Sequence, residues 1–344
     1  MKKLLLICFL LTIFFVITIG ANADKYMWNA GTTGEGTTNY IMIGSLCETI
    51  NTYAGKDIFM TPIAYTTSLM GLKGFDQKEV DSMYINSPML EQLINKAGVF
   101  SPETYKWSTP YTQMMWYNFA DGFFLIRKED EDKIKSWSDL ANRPVFPQRR
   151  GTAWYSNMED MLGPGGLNIW DTLDIKTFDL SHCADALKLK QVDAVIGYSA
   201  GGALAGFVQE TLSRTDSVIL APTPEEIEKI VKGISYASAV TMTPESYGQD
   251  VGLTKTVKMP CVPNVYLVSP DVPEEIVYQV IKTAFENATE MVKVAAQWRL
   301  FAGDPWGLNL PYLMKYKKMG VPIHPGALRY FRELGHNTKL LGLE

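Results

Sequence analysis

Histidine is scarce in this chain of 344 residues: only His182, His324 and His336 occur, and no two are close in sequence. That scarcity argues against a zinc centre or a histidine-rich catalytic site. Cysteine is almost as rare, at four residues with no C-x-x-C pair, so neither metal nor redox chemistry through sulfur is indicated. Positive charge is in deficit. Lys and Arg total 32 against 37 Asp and Glu, a net charge of −5, too acidic for a protein that grips a phosphate backbone, and no nucleic-acid partner is expected. Internal repeats and low-complexity tracts are absent, which leaves an adhesive or stalk-like module without support.

The remaining composition is that of a folded protein. Hydrophobic residues make up 47% and charged residues 20%, enough to bury a full core. At roughly 150 residues per domain, the length predicts about two bodies. The one long apolar run is at the start. Met1-Lys2-Lys3 precedes an apolar stretch from Leu4 to Ile19, followed by Ala21-Asn22-Ala23. This reads as a secretory signal peptide, residues 1–23, cleaved after Ala23. The run is short of the ~20 apolar residues that a membrane span needs, which disfavours an uncleaved anchor. Cys8 follows Ile7 too early for a lipoprotein signal. Loss of Lys2 and Lys3 takes the net charge to −7, and three cysteines remain, Cys47, Cys183 and Cys261. An odd number in an oxidising compartment leaves at least one free thiol, and no disulfide is expected.

Strand-like and helix-like segments alternate. Strands are predicted over 26–31, 58–64 and 80–85, with helices over 37–51, 67–73 and 88–96 between and after them. The alternation restarts after about residue 126, with strands at 144–146 and 192–196 and helices at 152–162 and 202–211. A single long amphipathic helix is predicted over 274–297. Two apolar extended segments, 113–127 and 256–268, are long enough to cross from one body to another. Two crossings imply a middle body inserted into an outer one: 24–118 with 262–344, and 119–261. The fold class is α/β.

Three loops carry candidate chemistry. Ala30-Gly31-Thr32-Thr33-Gly34-Glu35-Gly36-Thr37-Thr38 lies between a strand and a helix, where exposed backbone N–H groups suit an anion or a polar head group. It is neither G-x-G-x-x-G nor followed by G-K-[ST], so nucleotide binding is weakly supported. Arg149-Arg150-Gly151-Thr152-Ala153 adds guanidinium groups to a helix start, a setting for charge-assisted bonds to a carboxylate, with Trp154 and Tyr155 as possible walls. Gly197-Tyr198-Ser199-Ala200-Gly201 matches G-x-S-x-G. Asp271 or Asp304, and then His324 or His336, follow in the order of a serine hydrolase, so the alternative reading is a secreted esterase using Ser199. No His-Gly-Gly oxyanion loop precedes it. A dense aromatic run from Tyr105 to Phe124, including Trp116, sits beside the first crossing, where it could line a cleft.

Taken in order, several short motifs resemble one family. They are the Gly-Thr-rich first turn, Thr67-Ser68, Glu79-Val80-Asp81, Ser138-Asp139-Leu140, Gly151-Thr152, Val192-Asp193-Ala194 and Pro244-Glu245-Ser246-Tyr247. The closing Pro322-Ile323-His324-Pro325-Gly326-Ala327-Leu328-Arg329-Tyr330 is the most specific. The pattern is similar to the TAXI family, the TRAP-associated extracytoplasmic immunogenic solute receptors, from about Trp28 to Gly335. The resemblance implies a type II periplasmic binding protein: two α/β lobes, a ligand cleft and two crossing hinge strands. It also implies a periplasmic location, no catalysis, no cofactor and no metal. The implied ligand is a small organic carboxylate or amino acid, passed to an ion-gradient-driven TRAP permease. Carried onto this chain, ligand contacts would come from Thr33, Thr37, Thr38 and Tyr40, from Thr67 and Ser68, from Gly151, Thr152 and Ala153, and from Tyr198 and Ser199. With Trp116, Arg150 and Trp154 from the residue-level reading, these form the candidate site. The chain departs from the family's Gly-Ser-Gly-Thr at Gly151-Thr152-Ala153-Trp154-Tyr155, from its Gly-Ser and later Asn at Thr67-Ser68 and Gly71, and in carrying Glu35 within the first turn. Those changes favour an apolar-bodied acid, or a ligand with a cationic group over a ring.

Overall fold

The computed structural model describes residues 25–35, 37–150 and 152–344. The predicted signal peptide and Gly151 lie outside these residues. Eleven strands form one sheet: β1 (Tyr26–Thr33), β2 (Ile58–Tyr65), β3 (Ser82–Asn86), β4 (Thr112–Arg127), β5 (Pro144–Phe146), β6 (Asp174–Ile175), β7 (Ala194–Ala200), β8 (Ala203–Leu204), β9 (Ser217–Leu220), β10 (Ser238–Met242) and β11 (Val257–Val268). The helices are α1 (Thr38–Tyr53), α2 (Ser68–Asp76), α3 (Ser87–Asn95), α4 (Ala153–Leu162), α5 (Cys183–Lys188), α6 (Gly206–Arg214), α7 (Pro224–Gly233), α8 (Glu274–Glu286), α9 (Ala288–Val294), α10 (Arg299–Gly303), α11 (Pro305–Lys318) and α12 (Pro325–Glu333).

The strand order is β2-β1-β3-β11-β4-β7-β5-β6. β1 pairs in parallel with β2 and β3, and β5 in parallel with β6 and β7. The two predicted crossings, β4 and β11, lie antiparallel between these groups and join them. This is a mixed α/β architecture, as expected. Both crossing strands are apolar on both faces because each face is covered. Every β4 residue except Ala120 is buried, as a strand sandwiched in a core requires.

The first helices begin where side-chain oxygens cap them. Thr37, Thr67 and Thr152 each sit in an extended conformation and accept from the N–H three residues on, stopping the strand-to-helix turn at a defined residue. Two expectations fail. The helix predicted over 274–297 breaks at Asn287, whose side chain donates to the Thr283 carbonyl, and ends at Ala295, which is extended. The helix predicted from 202 starts only at Gly206, because Gly201 and Gly202 adopt positive φ (56° and 79°) and fold β7 back on β8 as a hairpin. Cys47, Cys183 and Cys261 are free and buried. Burial pushes the Cys183 thiol up to about 12 and those of Cys47 and Cys261 further.

Candidate functional site

In a parallel α/β sheet, ligands gather beyond the carboxyl ends of the strands, where helices begin. Here those ends carry hydroxyls and amides. Thr33 closes β1, and its hydroxyl lies 2.7 Å from that of Thr37. Thr37 already donates to the Gly34 carbonyl at 2.8 Å, so the Thr33 hydroxyl is the donor between them. Thr38 opens α1 and Tyr40 sits half-buried in its first turn. Thr67 caps α2, and the Ser68 hydroxyl pairs with that of Tyr84 on β3.

Asn39, in the first turn of α1, is the hub of this wall. Its Oδ1 accepts from the Tyr117 hydroxyl at 2.8 Å, Asn118 Nδ2 at 3.0 Å and Asn264 Nδ2 at 3.2 Å. Asn118 and Asn264 face each other in register on the two crossing strands. With three donors on Asn39 Oδ1, its amide nitrogen is turned the other way. Asn118 is 2% exposed, yet its Oδ1 has no hydrogen-bond partner among the described residues. A buried carbonyl oxygen left unpaired is costly, and such an atom calls for an explanation. Of these residues only Tyr117 fell within the aromatic run expected to line a cleft; Asn39, Tyr84, Asn118 and Asn264 were not foreseen. The available signal was an asparagine interrupting each apolar crossing, Trp116-Tyr117-Asn118-Phe119 and Val262-Pro263-Asn264-Val265.

A second group of the expected contacts is aromatic. The Trp154 ring in α4 stacks on Tyr198 of β7, with centroids 5.3 Å apart and planes 11° from parallel. The Trp154 ring lies so close over β4 that a Cβ on Gly122 would come within 2.6 Å of it, so glycine is what admits the indole here. Thr152 caps this helix and donates to the Arg149 carbonyl at 2.8 Å, while Ala153 is exposed. Arg149 is engaged with Asp179 at 2.9 Å. Arg150 is exposed and has no ion-pair partner among the described residues, which makes it the arginine available to an anion.

Two expectations need correction. Trp116 lines no cleft. It is 0% exposed and packed on Tyr312 and Tyr316 at 5.1 and 4.7 Å, because both faces of β4 are covered. Ser199 is not on a nucleophile elbow. It lies within β7, opposite Leu204 of the hairpin, is 2% exposed, and donates to Asp121 Oδ1 at 2.5 Å. Tyr247 donates to the other oxygen of Asp121 at 3.2 Å. The proposed triad partners are occupied elsewhere. Asp271 pairs with Lys78, and Asp304 caps α11. The His324 ring bonds the Val272 carbonyl and the Gly326 N–H, and His336 stacks on Trp306. Ser199 is buried and its hydroxyl is held by a carboxylate rather than by a histidine, so it has neither the access nor the histidine partner of an elbow serine. Ser199→Ala is therefore expected to leave short-chain ester hydrolysis at background, as in the parent, and to show only a loss of thermal stability. Ester turnover that disappears in the variant would reverse that conclusion.

Asp121 is the buried charged group held by Ser199 and Tyr247. Burial lifts its carboxyl to about 6, and the bonds from Ser199 and Tyr247 limit the rise. No cluster of three or more potential metal-binding side chains occurs among the described residues.

Among solved structures, the chain is similar to the periplasmic sulfonate-binding protein SsuA from Methylobacillus flagellatus KT. Identity is 14%, covering 79% of this chain and 73% of that one, with a TM-score of 0.48. It is also similar to the aliphatic sulphonate-binding SsuA of Escherichia coli (11% identity, 90% and 84% covered, TM-score 0.42). A glycine betaine/carnitine/choline ABC transporter structure aligns at 14% identity, with 90% and 98% covered and a TM-score of 0.45. Residues 30–335, from within β1 to just past α12, match the model of the NMT1-like family, and the chain belongs to that family.

Proposed function

We propose that the protein is an extracytoplasmic solute-binding receptor without catalytic activity, capturing a small organic acid or amino acid and delivering it to an ion-gradient-driven TRAP permease. In this reading 24–118 with 262–344 form the outer lobe, 119–261 the inserted lobe, and β4 and β11 the hinge. Thr33, Thr37, Thr38, Tyr40, Thr67 and Ser68 face the solute from one side. Arg150, Gly151, Thr152, Ala153, Trp154, Tyr198 and Ser199 belong to the other, with Ser199 acting through Asp121 rather than by contact. No described helix is long and apolar enough to cross a membrane, and the predicted signal peptide accounts for export.

The observation that carries this reading is the unpaired Asn118 Oδ1 at the first turn of α1. A positive helix end attracts a carboxylate, while an orphaned acceptor beside it takes an N–H donor. An α-amino acid offers both on adjacent atoms. The Trp154–Tyr198 stack supplies an apolar face for its side chain. The TRAP assignment rests on the motif order from the first turn to the Pro322–Tyr330 segment.

Native mass spectrometry of freshly purified chain from Asp24 onward is expected to show a retained solute. A thermal-shift panel of amino acids and organic acids should contain a compound that, at 100 times its dissociation constant, stabilises the protein by ~2.7 kcal/mol. Arg150→Ala should weaken an acidic solute by ~1.5–3 kcal/mol. No retained mass and no shift across the panel would overturn the proposal, and unchanged affinity in Arg150→Ala would place that arginine outside the site.

A further inference from the structure

The pairing of β4 with β11 ends at Asp121 and Cys261. Beyond that point the strands part company. β4 pairs through Phe124–Arg127 with β9, and β11 pairs through Val257–Cys261 with β10. The sheet forks, with β4–β9 as one arm and β11–β10 as the other. A cavity of about 1350 Å³ occupies the fork, above the ~300–1,000 Å³ usual for small-molecule sites. None of the proposed solute contacts lines it. Five residue steps along β4, from Asp121 to Ile126, put its wall about 16 Å from the buried Asp121.

Its apolar lining includes Ile126 and Val218 on one arm, Ala239 and Val257 on the other, and Ile227 of α7. Its charges are segregated. Glu131, Asp132 and Lys135 line it from the segment after β4, and Glu228 and Lys232 from α7, so both of those stretches carry mixed charge. The facing segment, 252–258, contributes Lys255 and Lys258 and no carboxylate. Neither lysine has an ion-pair partner among the described residues. The α7 N-terminus attracts no anion of its own. Thr223 and Glu226 close a capping box there, and Glu226 also accepts from Trp137 and Ser138. The 252–258 segment is therefore the one stretch of the lining, among the described residues, whose charge is positive only.

We propose that the fork is a second binding site, for an anionic amphiphile of the fatty-acid kind. Its carboxylate pairs with Lys255 and Lys258, and its hydrocarbon chain lies on the apolar lining between the two arms. The site works whether or not the cleft takes an amino acid.

The test is displacement of a dansyl-labelled undecanoic acid from the full chain, below micelle-forming concentrations. Saturable binding is expected, with affinity for saturated acids rising roughly fourfold for each further methylene buried. Dodecanoate should compete at least tenfold better than dodecylammonium. Lys255→Ala/Lys258→Ala should lower dodecanoate affinity about tenfold or more and leave dodecanol unchanged. Val231→Trp, at an exposed position on the rim, should block both while the cleft solute still binds. The proposal is overturned by non-saturable binding, by equal competition from dodecylammonium, or by a double-lysine variant that binds dodecanoate as the parent does. Loss of dodecanoate binding in Trp154→Ala with the lysines intact would also overturn it, by moving the amphiphile into the cleft.

Discussion

Trp116→Ala is expected to cost about 3–5 kcal/mol of unfolding free energy and to leave solute affinity within a factor of two. The indole is wholly enclosed, lies against two tyrosine rings of α11, and donates from Nε1 to Gln113 Oε1 at 2.9 Å. The backbone around it is fixed as well. The Trp116 N–H donates to Asn309 Oδ1 at 2.6 Å, and Asn309 Nδ2 returns to the Trp116 carbonyl at 2.9 Å. The strand cannot sink to fill the space, so most of the void persists. Urea unfolding, with an unchanged slope and a lower midpoint, measures the loss, and calorimetric titration measures the affinity. Weakened solute binding with full stability would return Trp116 to the cleft.

Asp121→Asn is expected to flatten the dependence of stability on pH between about 4 and 6. In the native state the carboxyl titrates near 6, whereas an unfolded aspartate titrates near ~3.9. The folded state therefore holds the proton more tightly, and stability falls as pH rises through that window. Below ~3.9 both states are protonated and this penalty is absent; above 6 it is complete, on the order of 2–3 kcal/mol for two pKa units. Asparagine can accept from Ser199 with its Oδ1 and donate from Nδ2 to the Tyr247 hydroxyl oxygen without carrying charge. The parent is thus expected to lose stability between pH 4.5 and 7.5 by up to ~2 kcal/mol more than the variant. Parallel pH profiles of parent and variant would show instead that Asp121 titrates normally.

The helix starts were legible because their cause is local: Thr37, Thr67 and Thr152 cap by reaching three residues along their own chain. The crossings were legible because a strand buried on both faces must be apolar throughout. That same property hid the position of Trp116, since a run with no alternation does not tell which neighbour each ring meets. The G-x-S-x-G segment misled for a different reason. The spacing is shared by an elbow and a hairpin, and the positive φ of Gly201 and Gly202 decides between them. Asn39 could not be singled out, because its three donors lie 78, 79 and 225 residues away. The fork in the sheet is likewise a matter of which strands pair, and no local pattern encodes it.

The buried thiols have a practical consequence. A chain begun at Asp24 contains only Cys47, Cys183 and Cys261, each enclosed and held as the unreactive thiol form at neutral pH. A maleimide dye applied to the native protein should pass all three by. A single cysteine placed at exposed Ala153 would take the whole label, giving a fluorescent reporter of solute capture with no natural cysteine removed.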